Sequence, residues 1–71
     1  MNITPQQVQK LLQCNIAFSS FGFSLLITRL KRTYEGNPTE AALLVCVKEI
    51  NSFLTKHART MDADFAIISQ I

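Results

Sequence analysis

Three side chains of this sequence are of the types that bind metals or act as nucleophiles, namely Cys14, Cys46 and His57. Cys46 and His57 fall on one predicted helix, roughly 16 Å apart along its axis, so one zinc ion cannot contact both. The CxxC, HxxxH and HExxH spacings of zinc sites do not occur. We therefore expect no metal ion and no other cofactor, and we interpret His57 as a partly buried structural residue.

The acidic residues do not form the pairs that general acid–base catalysis requires. We interpret Glu40 and Asp62 as helix-capping residues, and Glu35 and Glu49 as members of solvated helix faces. The chain has only two glycines, so it contains no glycine-rich phosphate loop. The sequence therefore predicts that the protein is not an enzyme.

The densest group of basic residues is Arg29, Lys31 and Arg32. These cations are candidates for electrostatic contact with phosphate groups or with an acidic partner. The alternative is that they stabilise the C-terminal end of a helix through its dipole. The net charge of +2 is too small to indicate a nucleic-acid-binding domain, although it favours an acidic partner.

Two helix starts are indicated by capping patterns. Thr4–Gln7 places Thr at the N-cap, Pro at the first helical position and Gln three residues after the cap. Asn37–Glu40 repeats this pattern, with Asn at the N-cap and Glu three residues after it. Gly36 is predicted to end the preceding helix in a left-handed conformation. A short first helix is expected from Thr4 to Gln13.

Two long helices are predicted on either side of this turn. Apolar residues recur every three to four positions from Pro38 to Met61, which is typical of an amphipathic helix. The segment from Asn15 to Tyr34 is apolar on two sides. Its alternation over Phe21–Ile27 also allows a strand, but no second strand is present to pair with it, so we favour a helix.

The sequence predicts a single all-α domain over residues 1–71, built as an antiparallel helical hairpin with short flanking helices. Residues 62–71 form either a separate helix or an extension of the long one. If the chain reverses direction between Gly36 and Asn37, residues equally distant from the turn lie opposite each other in the two antiparallel helices. Phe23 is then paired with Ile50, and Cys14 and Cys46 are too far apart for a disulfide bond. The predicted hairpin core consists of Ile16, Phe23, Ile27, Leu30, Leu43, Cys46, Ile50, Phe53 and His57.

The opposite side of the first long helix carries Phe18, Phe21, Gly22 and Leu25. A chain that is 48% hydrophobic and this short has difficulty hiding its apolar side chains in a monomer. These four residues are therefore predicted to bind another protein chain. The alternative is that Phe18 and Phe21 pack under the short terminal helices.

The apolar stretch Ile16–Ile27 is shorter than the roughly 20 residues that span a bilayer. It is followed by Arg29, Lys31 and Arg32 rather than by a small-residue cleavage site, so we expect no secretory signal. A membrane-surface helix over Ile16–Arg32 is a weaker alternative.

The segments Leu26–Arg32, Glu35–Pro38 and Leu43–Ile50 resemble the small hairpin co-chaperones of bacterial type III secretion needle subunits. The resemblance covers roughly residues 25–60 and consists of a basic end to the first long helix, a Gly/Asn/Pro turn and an aliphatic second helix. It implies a cytoplasmic protein that binds a helical-repeat chaperone, in a heteromeric complex that keeps a secreted helical needle subunit from polymerising before export.

A different class of function remains open. A small homodimeric helical regulator would bind nucleic acid through Arg29, Lys31, Arg32, Lys56 and Arg59. That function needs a contiguous basic face and a recognition helix, and the spacing of these residues builds neither.

Overall fold

The computed structural model describes residues 2–71, which form four α-helices: α1 (Pro5–Gln13), α2 (Phe21–Gly36), α3 (Glu40–Lys56) and α4 (Asp62–Ile68). A 3₁₀ turn, Ala58–Thr60, lies between α3 and α4. This part of the chain contains no strand. The all-α prediction is confirmed, and the residues of the strand alternative, Phe21–Ile27, lie in α2.

Helix α1 is the short helix predicted to flank the hairpin, and it packs against both α2 and α3. Its start agrees with the predicted capping box. The Thr4 hydroxyl accepts a hydrogen bond from the Gln7 N–H at 3.2 Å, and the Gln7 side-chain oxygen accepts one from the Thr4 N–H at 2.9 Å. These bonds satisfy backbone donors that the first turn of a helix leaves without partners.

The turn of the hairpin differs from the prediction at both of its ends. Asn37 still donates its N–H to the Thr33 carbonyl at 3.1 Å, so α2 continues through Gly36, and no glycine among residues 2–71 has a positive φ. Thr39, not Asn37, caps α3, because its hydroxyl accepts from the Ala42 N–H at 3.2 Å. The turn is therefore centred on Pro38.

This shift of the turn moves the register of the hairpin by about one helical turn. The ring of Phe23 lies 5.5 Å from the ring of Phe53, which is one turn beyond the Ile50 that the sequence pairs with it. Phe23 and Ile50 are nevertheless both completely buried. The apolar stripes of α2 and α3 face each other as predicted, but individual residues are paired with partners about one turn away from the predicted ones.

The predicted long helix to Met61 is interrupted. Helix α3 ends at Lys56, where the His57 N–H makes the last helical bond, to the Phe53 carbonyl at 2.9 Å. The 3₁₀ turn and the completely buried Met61 separate α3 from α4. Residues 62–68 therefore form a helix of their own. Asp62 is the first residue of α4 and not its cap, since Met61 occupies that position without a side-chain hydrogen bond.

Helix α2 begins at Phe21 and not at Asn15. The Ser20 hydroxyl caps it by accepting from the Phe23 N–H at 3.2 Å. The segment before it, residues 14–20, is non-helical, and its half-buried Phe18 packs edge-to-face on Phe23 with ring centroids 4.8 Å apart. Ile16, predicted on a helical stripe, lies half-buried in this segment instead.

The core of the described chain draws on every helix. Of the predicted hairpin core, five residues are buried (Phe23, Ile27, Leu30, Cys46 and Ile50) and four are half-buried against them (Ile16, Leu43, Phe53 and His57). The remaining buried hydrophobic residues come mostly from the terminal segments: Ile3, Val8, Leu11, Leu12, Leu54, Met61 and Ile68.

The N-terminal segment is tied to α3 by one side chain. The Asn51 amide accepts from the Ile3 N–H at 2.7 Å and donates to the Ile3 carbonyl at 3.2 Å. A side-chain amide that satisfies both polar groups of one residue allows the Ile3 side chain to be buried without stranding its backbone.

We predict that Ile50→Asp unfolds the protein, because it places an unpaired carboxylate at a completely buried position. The expected loss in the free energy of unfolding is about 4 kcal/mol or more. Thermal unfolding followed by circular dichroism measures it. Leu44→Asp, at an exposed position of the same helix, is the control and should cost less than about 1 kcal/mol. Equal melting curves for the two variants would contradict the inward orientation of Ile50.

Candidate protein-binding surface

Four large hydrophobic side chains remain in water on the two long helices. Phe21 is 76% exposed and Leu25 56% exposed on α2, while Leu44 is 51% and Val45 57% exposed on α3. Single exposed apolar residues are common on protein surfaces. Here they form two pairs, Phe21 and Leu25 one turn apart on α2 and Leu44 and Val45 adjacent on α3, and exposed apolar groups of this kind are candidates for contact with another molecule.

The four residues of the predicted binding face of α2 do not share one surface in the structure. Phe21 and Leu25, one helical turn apart, are exposed, and we call this pair the outer patch. Phe18 packs on Phe23 and lies before α2. Gly22 faces the ring of Phe53, because a Cβ at this position would lie 3.4 Å from that ring. The outer patch is therefore narrower than the predicted set, and α1 does not cover it.

A groove of about 700 Å³ lies between α2 and α3 on the side of Phe53, and we call it the α2–α3 groove. It is lined by Leu26, Val45, Lys48, Glu49, Ser52, Phe53, Lys56 and His57. Its apolar surface comes from Leu26 of α2 and from Val45 and Phe53 of α3. The ring of His57 packs on that of Phe53 with centroids 4.3 Å apart.

The charged side chains of the groove are mostly basic. Glu49 accepts from the Arg29 guanidinium at 3.1 Å, and both side chains are partly exposed. Lys48 and Lys56 line the same groove and have no carboxylate partner within residues 2–71. An exposed ion pair such as Arg29–Glu49 contributes little to stability, but it offsets the only negative charge at the groove.

The predicted basic cluster is not a single contact surface. Arg29 is directed to Glu49 across the hairpin. Lys31 instead donates to the Cys14 carbonyl and to the Asn15 side-chain oxygen, at 3.3 Å in the second case. Arg32 is exposed. The three cations therefore point to different surroundings, and two of them already have partners within the chain.

The sequence pattern indicates no role for Asp64, but in the structure its side chain makes contacts that hold the fold together. Its carboxylate is completely buried and accepts from the Ser19 N–H at 2.7 Å and from the Ser20 N–H at 2.9 Å. It thereby holds the start of α2, and with it the position of Phe21. One signal was present, since Asp64 falls between Met61 and Ile68 on the apolar stripe of α4.

We predict that Asp64→Asn lowers the free energy of unfolding by about 2 kcal/mol, because the amide keeps one acceptor and turns an N–H donor towards another donor. Urea unfolding measures the change. Asp62→Asn, at an exposed position two residues earlier, is the control and should change stability by less than about 1 kcal/mol. Identical urea midpoints would show that the two hydrogen bonds of Asp64 do not support the fold.

The two cysteines are free and lie in different environments, Cys14 exposed and Cys46 buried. Burial raises the pKa of the Cys46 thiol, and the carboxylate of Glu49 raises it further. Since the thiolate is the reactive form, Cys46 is protected both by its lack of access and by its higher pKa.

Iodoacetamide should therefore modify Cys14 and leave Cys46 unmodified in the folded protein at neutral pH. Intact mass spectrometry should show one adduct under native conditions and two adducts in denaturant. Rapid modification of Cys46 in the folded state would mean that the interface of α3 with the rest of the core opens readily.

Residues 2–71 contain neither a cluster of metal-binding side chains nor a membrane-spanning helix. No three His, Cys, Asp or Glu side chains come together there in an arrangement that could hold a metal ion. No helix in that part of the chain is long and apolar enough to cross a membrane.

Comparison of the sequence with protein-family models finds no match, and neither the curated proteins nor the solved structures contain a significantly similar chain. The fold and the surface are thus the basis on which a function is inferred.

Proposed function

We propose that the protein is a protein-binding helical module that acts as a co-chaperone. The observation that carries this proposal is the exposure of Phe21, Leu25, Leu44 and Val45 on the two helices of the hairpin. Aromatic side chains are frequent among residues that dominate the energy of protein interfaces. Phe21, at 76% exposure, is the residue most available for such a role.

The specific form of the proposal is a cytoplasmic complex in type III secretion. In it, the protein and a helical-repeat chaperone stabilise a needle subunit before export. The support is the resemblance of Leu26–Arg32, Glu35–Pro38 and Leu43–Ile50 to the hairpin co-chaperones of that system. Leu26–Arg32 lies in the middle of α2, Glu35–Pro38 covers the end of α2 and the turn, and Leu43–Ile50 lies in the middle of α3.

Nucleic-acid binding by a homodimer is the competing function. Of its proposed contact residues, Arg29 and Lys31 are engaged within the chain. A regulator of that kind requires cations free to neutralise phosphates along one face. No feature of the structure favours it, and we retain it as an outcome of the experiment below.

The experiment is a pull-down of the tagged protein from its native host at moderate ionic strength, with identification of every co-purifying component. Recovery of a helical-repeat protein together with a small secreted helical subunit is the expected result. Recovery of the protein alone with nucleic acid would replace the co-chaperone proposal by that of a dimeric regulator.

Within this experiment, Phe21→Asp should abolish recovery of the partner while helicity is retained. Phe21 is the first residue of α2, where a carboxylate is favourable to the helix dipole, so loss of binding would not reflect loss of the helix. Gln9→Asp, at an exposed position of α1, is the control and should bind normally. Unchanged binding by Phe21→Asp would show that the outer patch is not the docking site.

A further inference from the structure

We propose that the α2–α3 groove binds one amphipathic helix of a partner protein, whose apolar stripe is flanked by acidic residues. This inference rests on the proposed protein-binding function and goes beyond it by naming a second surface, distinct from the outer patch, and the chemistry of its occupant. The residues that line the groove include the apolar Leu26, Val45 and Phe53 and the basic Lys48 and Lys56.

The length of the groove fits a short helical segment. Val45 and Lys56, which both line it, are eleven positions apart on α3, or roughly 16 Å along the helix axis. That distance corresponds to about three turns of a second helix lying along the groove. Helices that bind in such grooves insert side chains at i, i+3 or i+4, and i+7, a stretch of roughly 10 Å along the helix axis that fits within this length.

The apolar lining residues of the groove offer contacts that the fold itself leaves incomplete. Val45 is 57% exposed, and Leu26 and Phe53 are half-buried, packed against the core from the outside. Gly22 brings the backbone of α2 close to the Phe53 ring, so the ring is shared between the core and the groove. Apolar side chains from a partner would bury the remaining surface of these three residues.

The charge of the groove selects an acidic helix over a basic one. Glu49 is already neutralised by Arg29 at 3.1 Å, which leaves the ammonium groups of Lys48 and Lys56 as the uncompensated charges among the lining residues. The two lysines are eight positions apart on α3, or roughly 12 Å. Carboxylates seven or eight positions apart on the occupant would meet both lysines, and complementary charges of this kind favour the correct partner.

The test uses two designed helical peptides of about 15 residues, each stabilised by a side-chain staple and labelled with a fluorophore. Both carry leucines at i, i+3 and i+7. One has glutamates at two flanking positions seven residues apart, and the other has lysines there. Fluorescence anisotropy gives the affinities for the intact protein, and amide chemical-shift changes in NMR spectra give the contact surface.

The glutamate peptide is expected to bind about tenfold more tightly than the lysine peptide at low salt, with shift changes centred on Leu26, Val45 and Phe53. In the double variant Lys48→Glu/Lys56→Glu the preference should reverse. The double variant Lys10→Glu/Arg32→Glu makes the same change of net charge at exposed positions outside the groove and should keep the preference for the glutamate peptide.

Three results would overturn the inference: no binding of the glutamate peptide, equal binding of both peptides, or shift changes centred on Phe21 and Leu25. A steric variant, Ser52→Trp, adds a bulky side chain to the lining of the groove and should weaken the glutamate peptide about tenfold. Full affinity in that variant would also place the peptide elsewhere.

The pull-down separates this inference from the proposed function. If a partner is recovered equally well by Ser52→Trp and by the unmodified protein, the protein-binding function stands and the groove inference fails for that partner. If the peptide binds as expected but no protein is recovered, the groove inference stands and the co-chaperone proposal fails.

Discussion

The constraint on which this structure depends is the burial of apolar side chains by a very short chain. A helical hairpin alone exposes one side of its facing stripes, and α1 covers that side with Val8, Leu11 and Leu12. Because small proteins have much surface for their volume, this core uses side chains from every helix and still does not reach Phe21, Leu25, Leu44 or Val45.

Two partly buried polar contacts tie the terminal segments of the chain to this core. Asn51 satisfies both backbone groups of Ile3, and Asp64 satisfies the N–H groups of Ser19 and Ser20. Each contact joins residues more than forty positions apart. Contacts of this kind contribute modestly to stability but strongly oppose misplacement, since a displaced segment would leave buried polar groups without partners.

The elements that could be predicted from the sequence are those specified by local chemistry. The capping box of Thr4 and the apolar stripe of α3 depend on residues within a few positions of each other, and both are present as expected. The residues at which the helices begin and end depend on which of several possible caps is used and on contacts with distant parts of the chain. Asn37 and Thr39 are both suitable caps, and the start of α2 is held by Asp64 from the other end of the chain. Periodicity alone therefore predicts a helix from Asn15, whereas α2 begins at Phe21.

The two candidate binding surfaces differ in the same way, since one depends on local sequence and the other on how two helices pack. The outer patch belongs to one helix, so Phe21 and Leu25 could be identified from the pattern of α2 alone. The α2–α3 groove depends on the register of two helices, because centring the turn on Pro38 sets Phe53 against Phe23 and Glu49 against Arg29. With Glu49 occupied in this way, the lysines on either side of it define the charge of the groove. The register that sets Phe53 against Phe23 in the core therefore also sets which charges of the groove are left without a partner.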